Sequence, residues 1–225
     1  IVTTDKVYLN KDKKKYFKEN DPLGGDDPYS NSKSCAELAT ICYNRSFFKK
    51  KKIYVATARA GNVIGGGDFS KDRIIPDFIR SLLKNQKLTL RSPKSIRPWP
   101  YILDPLYGYL LLVEKLYKKK IASGNSFNFA SNYDGNKSVK DVINIINKNF
   151  KNQVKIIEKK QNSKKYKESL LLMLNPNKSK KILNWKSRYN LQQSVKNTSE
   201  WYKKFFIKEK NILKISEDQI RNYLN

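Results

Sequence analysis

The chain is expected to be an α/β protein with a parallel main sheet and a smaller α/β region packed against it. Short β-branched or apolar runs alternate with longer runs of helical periodicity, the pattern of strand–helix units with parallel pairing. The strands that follow Leu88 are short, which points to a second, smaller region. With 225 residues the chain can bury a sizeable core in one or two domains.

Taken in order, Ile1-Val2 reads as the end of a buried strand, and Thr3-Thr4-Asp5-Lys6 as the loop beyond it. Asn10 to Asp27 is polar and contains glycine, a surface loop. Pro28 precedes a helix from about Tyr29 to Phe48, with Ala36, Leu38, Ala39, Ile41 and Cys42 as its apolar side. Ile53 to Arg59 is a strand. It runs into Gly61-Asn62-Val63-Ile64-Gly65-Gly66-Gly67-Asp68, a turn whose glycines allow backbone to approach a ligand closely. Asp77 to Leu83 is helical, Leu88 to Arg91 a short strand and Leu106 to Tyr117 a strongly apolar helix. Ser126 to Ala130 is a strand. Val139 to Asn149 is an amphipathic helix opened by a Ser138 cap. Val154 to Ile157 is a further strand, and Asn177 to Leu183 and Leu191 to Phe206 are helices. From Ile207 onward the pattern is weak until Ile220 and Leu224.

The net charge of +27 raises a nucleic-acid reading, but the composition argues against it. Of 47 basic residues only 8 are Arg, the residue favoured for bidentate and stacking contacts, and the Lys are spread along nearly the whole chain. A solvated Lys-rich surface accounts for them. No stretch reaches the length of a membrane span, so neither nucleic acid nor membrane is an expected partner. Cys35 and Cys42 lie seven residues apart on one helix, about 10 Å at the helical rise and too far for a disulfide. They read as small core or half-buried residues in a reducing compartment, the cytoplasm. With no His in the chain, no metal site is expected.

Tyr29 and Lys33 stand four residues apart, just over one helical turn, and so share a face. An ammonium beside a phenol favours the phenolate, which makes a Tyr usable as a base near neutral pH. Taken alone, the spacing is also that of an ordinary Tyr and Lys on a solvated helix. Asp5-Lys6, likewise, is by itself either a catalytic pair or a loop ion pair.

Several blocks together change the weight of these pairs. They are Thr3-Thr4-Asp5-Lys6-Val7-Tyr8, Gly24-Gly25-Asp26-Asp27-Pro28-Tyr29-Ser30-Asn31-Ser32-Lys33 and Cys35-Ala36-Glu37-Leu38. Then come Arg59 to Asp68, Asp72-Arg73-Ile74-Ile75-Pro76-Asp77, Arg97-Pro98-Trp99, Leu183-Asn184-Trp185 and Glu200-Trp201-Tyr202. In this order, over nearly the whole chain, they resemble the extended short-chain dehydrogenase/reductase superfamily, and within it the CDP-glucose 4,6-dehydratases. The resemblance implies a Rossmann-like parallel sheet that binds NAD, followed by a smaller region that grips a sugar nucleotide. It divides the chain into residues 1–70, the remainder of the NAD-binding domain, and residues 71–225, mainly the sugar-nucleotide region with some segments returning to the Rossmann core. No Gly-rich phosphate turn after a strand precedes Thr3. The sequence therefore reads as the C-terminal part of such an enzyme, and these residues alone are expected to be inactive.

The resemblance also implies roles. Thr4, Asp5, Lys6, Tyr29 and Lys33 would be catalytic, with Tyr29, Lys33, Ala60 and Gly61 against NAD. Asn62, Arg73, Leu88, Arg91 and Arg97 would meet the sugar nucleotide. Asp104 is either functional or a helix N-terminal residue. The implied activity is dehydration of CDP-glucose to CDP-4-keto-6-deoxyglucose within deoxysugar and lipopolysaccharide biosynthesis, by a homo-oligomer. Another sugar-nucleotide 4,6-dehydratase or a 4-epimerase, which shares Tyr29 and Lys33 but eliminates no water, is the enzymatic alternative. An inactive fragment or a basic nucleic-acid binder is the non-enzymatic one.

Overall fold

Strand β2 (Ala56–Ala60) pairs in parallel with β5 (Asn125–Phe129), from Ala56 opposite Asn125 to Ala60 opposite Phe129, and Val2 bridges Ala58 in parallel on the other side. The computed structural model describes residues 1–11, 15–131, 135–159, 170–207 and 211–225. Around this sheet the described elements run β1 (Tyr16–Phe17), α1 (Pro28–Tyr43), β2, α2 (Ile74–Leu83), β3 (Leu88–Leu90), β4 (Ile96–Arg97) and α3 (Leu103–Tyr117). They continue with β5, β6 (Lys137–Ser138), α4 (Val139–Asn149), β7 (Ile156–Glu158), β8 (Met173–Leu174), α5 (Asn177–Leu183), α6 (Leu191–Phe206) and α7 (Ile212–Leu224). The α/β class with parallel pairing holds. Of the smaller pairs, β1–β8 and β3–β7 are parallel and β4–β6 is antiparallel.

The period of two along a strand gives the central sheet two different faces. Ala56, Ala58 and Ala60 join Phe127 and Phe129 on one face, covered by Leu112 of α3 and by Trp185. Gly108 lets α3 approach, since a Cβ there would lie 2.4 Å from the Phe129 ring. Thr57, Arg59 and Ser126 occupy the opposite face, and α1 covers them. A second core joins α2, β3, α4 and α6 through Phe78, Leu90, Ile143 and Val195. Val7, Tyr8, Phe17, Leu172 and Leu174 form a third.

The polar face overturns one expectation. The residues of α1 that are buried are Ser30, Ser34, Glu37 and Thr40, while Leu38 is 55% exposed and Ala39 and Cys42 also face outward. The helix turns its polar stripe inward because the sheet offers it hydroxyls and a guanidinium. Both cysteines are exposed, not core or half-buried. Helix α1 ends at Tyr43 and closes in a π-helical turn, Asn44–Phe48. The strand expected from Ile53 starts at Ala56, where its partner starts, and Ile53 and Tyr54 are exposed. Ile1 and Val2 are also exposed, and Val2 makes a single bridge rather than a buried strand.

Local signals succeeded where partners are close in sequence. Ser138 caps α4 by accepting from the Asp141 N–H, and α5 and α6 have the expected bounds. The expected Asn10–Asp27 loop instead contains β1, and the weakly patterned tail contains α7. Residues 12–14 of that loop and 208–210 of that tail lie outside the described residues.

Candidate active site

Thr4 caps the 3-10 turn Asp5–Val7, its hydroxyl accepting from the Lys6 N–H at 3.4 Å and donating to Asp5 Oδ1 at 3.0 Å. The turn delivers two different neighbours. Asp5 is buried, at 2% exposure, and Lys6 is half-buried at the surface. Asp5 Oδ2 has no hydrogen-bond partner among the described residues. Burial pushes the Asp5 carboxyl up to about 6, against the opposing pull of the Thr4 bond and the charges of Arg97 and Lys6. Asp5 and Lys6 are not a loop ion pair: among the described residues no such contact joins them. At the end of β2, Gly61 lies against the acid, so that a Cβ there would sit 1.8 Å from Asp5 Oδ2.

Helix α1 brings the second pair. Asp27 caps it by accepting from the Ser30 N–H, and Pro28 sits in its first turn, where a missing N–H costs nothing. Ser34 donates to the Val7 carbonyl at 2.8 Å and ties the helix to the 3-10 turn. Tyr29 is 52% exposed. Lys33 Nζ lies 5.8 Å from the centre of its ring, as four-residue spacing requires, and Lys6 Nζ lies 5.9 Å from it. Two ammonium groups therefore flank one phenol, and one of them comes from the acid's own turn.

The remaining expected site residues divide. Ala60 ends β2 within the sheet core, and Asn62 takes a left-handed backbone, φ 48°, just past Gly61. Arg97 is 1% exposed, donates to the Ile96 and Leu170 carbonyls at 2.8 and 3.4 Å and acts on Asp5 through its charge. Arg73 and Arg91 are exposed and pair with Asp68 and Asp72. The Leu88 side chain is part of the hydrophobic core, and its N–H already donates to the Lys155 carbonyl, so it does not line an open pocket. Gly65 and Gly66 also differ from expectation. A Cβ on Gly65 would meet Ile102 at 2.6 Å and one on Gly66 would meet Trp201 at 2.1 Å, so at these positions the turn makes room for protein rather than for a ligand.

Asp104 is fully buried and accepts from Ser187, from the Arg188 N–H and from the Tyr223 hydroxyl, which is a structural knot at the start of α3. Sequence reasoning assigned no role to Glu37, Arg59 or Tyr8, which form a buried network directly beneath the site. The available signal was the placement of Glu37 one turn beyond Lys33, in the stripe of Ser30, Ser34 and Thr40.

The profile of the GDP-mannose 4,6 dehydratase family matches residues 1–198. The chain is 34% identical, over 100% of its own length, to CDP-glucose 4,6-dehydratase of Salmonella typhimurium, and covers 63% of that protein. It is 28% identical to mouse dTDP-D-glucose 4,6-dehydratase, with 96% of this chain and 58% of the relative covered. The chain thus spans about three fifths of the length of these relatives. Among solved structures it is similar to the dTDP-glucose 4,6-dehydratase of Bacillus anthracis in complex with NAD, with TM-score 0.71, 24% identity, and 90% and 60% of the two chains covered. It is also similar to the UDP-glucuronic acid 4-epimerase of Bacillus cereus, with TM-score 0.77, 20% identity, and 91% and 60% covered. At these identities the structures speak for the fold alone. The dehydratase profile spans the Asp5–Lys6 turn, the Tyr29–Lys33 helix and most of the chain beyond, and the chain belongs to the GDP-mannose 4,6 dehydratase family.

Proposed function

We propose that the full-length protein dehydrates CDP-glucose to CDP-4-keto-6-deoxyglucose with NAD as internal redox carrier. The observation that carries this is one turn that holds the buried, raised-pKa Asp5 carboxyl and sets Lys6 beside the Tyr29 ring that Lys33 also flanks, in a chain 34% identical to a CDP-glucose 4,6-dehydratase. Tyr29 and Lys33 fit the cofactor, because both present polar ends from one helix face and Tyr29 is half open to solvent. When bound, NAD⁺ would supply the hydride acceptor for sugar C4 and, once reduced, the hydride donor for C6. Tyr29 would remove the 4-hydroxyl proton, Thr4 would hydrogen-bond that oxygen and Lys33 would hold the nicotinamide ribose. The resulting 4-ketone acidifies C5–H, whose proton Lys6 would abstract as the neutral amine and return to C5 when hydride arrives at C6. Asp5, held protonated at mildly acidic pH by burial, gives its proton to the departing 6-hydroxyl. Asn62 and Arg97 would bind the diphosphate side, with Arg73 and Arg91 at the nucleotide end.

The test is rapid mixing of the full-length protein with CDP-glucose while NADH absorbance is followed. Asp5→Asn should accumulate NADH, because oxidation precedes elimination, with turnover lowered by about 10²–10⁴. Tyr29→Phe should give no NADH at all. Equal failure of both variants before any NADH appears would remove Asp5 from the elimination step. A 4-epimerase is the second reading: it would use Tyr29 and Lys33, and it leaves Asp5 and Lys6 without a task. An epimerised sugar nucleotide in place of a 4-keto-6-deoxy product would establish it.

The same reading includes a homo-oligomer. The outer side of α1 presents Leu38 at 55%, Tyr43 at 54% and, in the following turn, Phe47 at 51% exposure, an apolar strip suited to a second copy. Sedimentation of the full-length protein should find a dimer or larger, and Leu38→Glu with Tyr43→Glu should dissociate it. A monomeric wild type would refute this.

A further inference from the structure

Both ends of the turn that carries Thr4, Asp5 and Lys6 are bonded to one buried ion pair. Glu37, with no exposure, accepts from Arg59 Nε at 2.8 Å and from Arg59 Nη2 at 2.9 Å, the two-pronged geometry of a guanidinium on a carboxylate. Thr3, immediately before the turn, donates its hydroxyl to Glu37 Oε1 at 2.6 Å. Tyr8, immediately after it, accepts from Arg59 Nη1 at 2.8 Å, and the guanidinium lies 4.9 Å from the Tyr8 ring centre. Thr57 of β2 donates to Glu37 Oε2 at 2.6 Å. The Tyr8 hydroxyl in turn donates to Asn128 of β5 at 2.7 Å.

Glu37 also stands four and eight residues beyond Lys33 and Tyr29, so it shares their stripe of α1. Arg59 stands two residues before Gly61, which abuts the Asp5 carboxylate. The Arg59 charge and the hydroxyls of Thr3 and Thr57 outweigh the effect of burial and keep Glu37 below the usual carboxylate range, so the pair stays ionised through the neutral range. A buried ion pair is weak evidence for stability, since the cost of desolvating two charges offsets their attraction. What this one supplies is register. Its directional bonds join the acid turn, the helix of the phenol and the strand behind both, and no one of the three can shift without breaking them.

We propose that Glu37 and Arg59 are positioning residues that hold the Thr4–Asp5–Lys6 turn at a set distance from Tyr29 and Lys33, with Thr3 and Tyr8 as the two anchors on the turn. This rests on the dehydratase reading for its kinetic consequences but not for its structural ones. Both side chains are buried, Glu37 at 0% and Arg59 at 1% exposure, so each would act through the turn and not on the substrate itself. Loosening the clamp therefore lowers kcat and leaves KM for the sugar nucleotide alone.

Thr3→Val in the full-length protein removes one anchor and leaves the ion pair intact. It should lower kcat on CDP-glucose on the order of 10- to 100-fold, the effect of a displacement of about 1 Å at reacting groups, with KM within about two-fold of wild type. Thr3→Ser, which keeps the hydroxyl, should restore kcat. Single replacements of Glu37 or Arg59 would leave a buried unpaired charge and unfold the protein. The double variant Glu37→Gln with Arg59→Met removes both charges. It should melt near the wild-type temperature and still show the kcat loss. Independently of turnover, hydrogen exchange at the amides of Asp5 to Tyr8 should be faster in Thr3→Val and normal in Thr3→Ser. Wild-type kcat in Thr3→Val overturns the proposal. If the wild type does not turn over CDP-glucose, the dehydratase reading falls and exchange alone decides the clamp: wild-type exchange in Thr3→Val then overturns it.

Discussion

Asp5 shows what burial costs an ionisable residue. Its carboxyl is raised from 3.8 to about 6 by burial, so ionising it in the folded protein is costly. Below pH 3.8 it is protonated whether the chain is folded or not, and there is no penalty. Between 3.8 and about 6 the folded state holds a proton that the unfolded state releases, so stability falls as pH rises. Above that window the full penalty applies, about 3 kcal/mol as an upper figure. Asp5→Asn should therefore melt several degrees above wild type at pH 7.5, with the gap closing toward pH 4. Thermal melts across that range check this, and equal melting temperatures at pH 7.5 would contradict the desolvated acid. The acid was legible as a residue, in the Thr3–Lys6 block. Its burial was not, because the atoms that enclose it come from Gly61 and Arg97, 56 and 92 residues away.

At the scale of elements, the Gly65-Gly66-Gly67 turn is a joint between β2 and the second core. Trp201 of α6 stacks on Phe205 at 5.5 Å, touches Phe69 and Tyr202 and rests against Gly66, while Tyr202 donates to the Asp68 carbonyl at 2.6 Å. Gly66→Ala should displace Trp201 and destabilise the protein by about 1–3 kcal/mol, as overpacking does. Urea unfolding followed by tryptophan fluorescence would measure it, and an unchanged midpoint would show that the turn has slack. Helix α1 makes the complementary point. Its length and its Asp27 cap are written in local sequence, but its inward face is not. Burial of Ser30, Ser34, Glu37 and Thr40 follows from the hydroxyls and Arg59 on the facing strands, which no local periodicity reports.

At the scale of the molecule, α7 is held by polar contacts to α3, to Tyr101 just before it and to α6. The Tyr223 hydroxyl donates to Asp104 Oδ1 at 2.8 Å, Tyr101 donates to Gln219 at 2.8 Å, and Trp201 Nε1 donates to Ser216 at 3.0 Å. Burial raises the Asp104 carboxyl, and the groups bonded to it oppose that rise. Tyr223→Phe removes one donor from a buried carboxylate, which should cost about 1.5–3 kcal/mol. Helix α7 should then become cleavable in limited proteolysis before the rest of the chain unfolds. Protection equal to wild type would mean that Gln219 and Ser216 suffice. This helix escaped sequence reading because only Ile215 and Tyr223 of its thirteen residues are buried, while Leu213, Ile220 and Leu224 remain exposed.

The sequence by itself determined the α/β alternation, the caps at Asp27 and Ser138 and the pairing of Tyr29 with Lys33. All of these depend on neighbours within a few residues, where spacing along one backbone sets geometry. Strands β1 and β8, two residues each and more than 150 residues apart, were decided only when the chain closed. The same holds for the burial of Asp5 and Arg97, for Lys6 beside Tyr29, and for the Glu37–Arg59 pair beneath them. The physical reason is common to all: burial and ionic pairing depend on which distant surface arrives, and a linear pattern does not encode that partner.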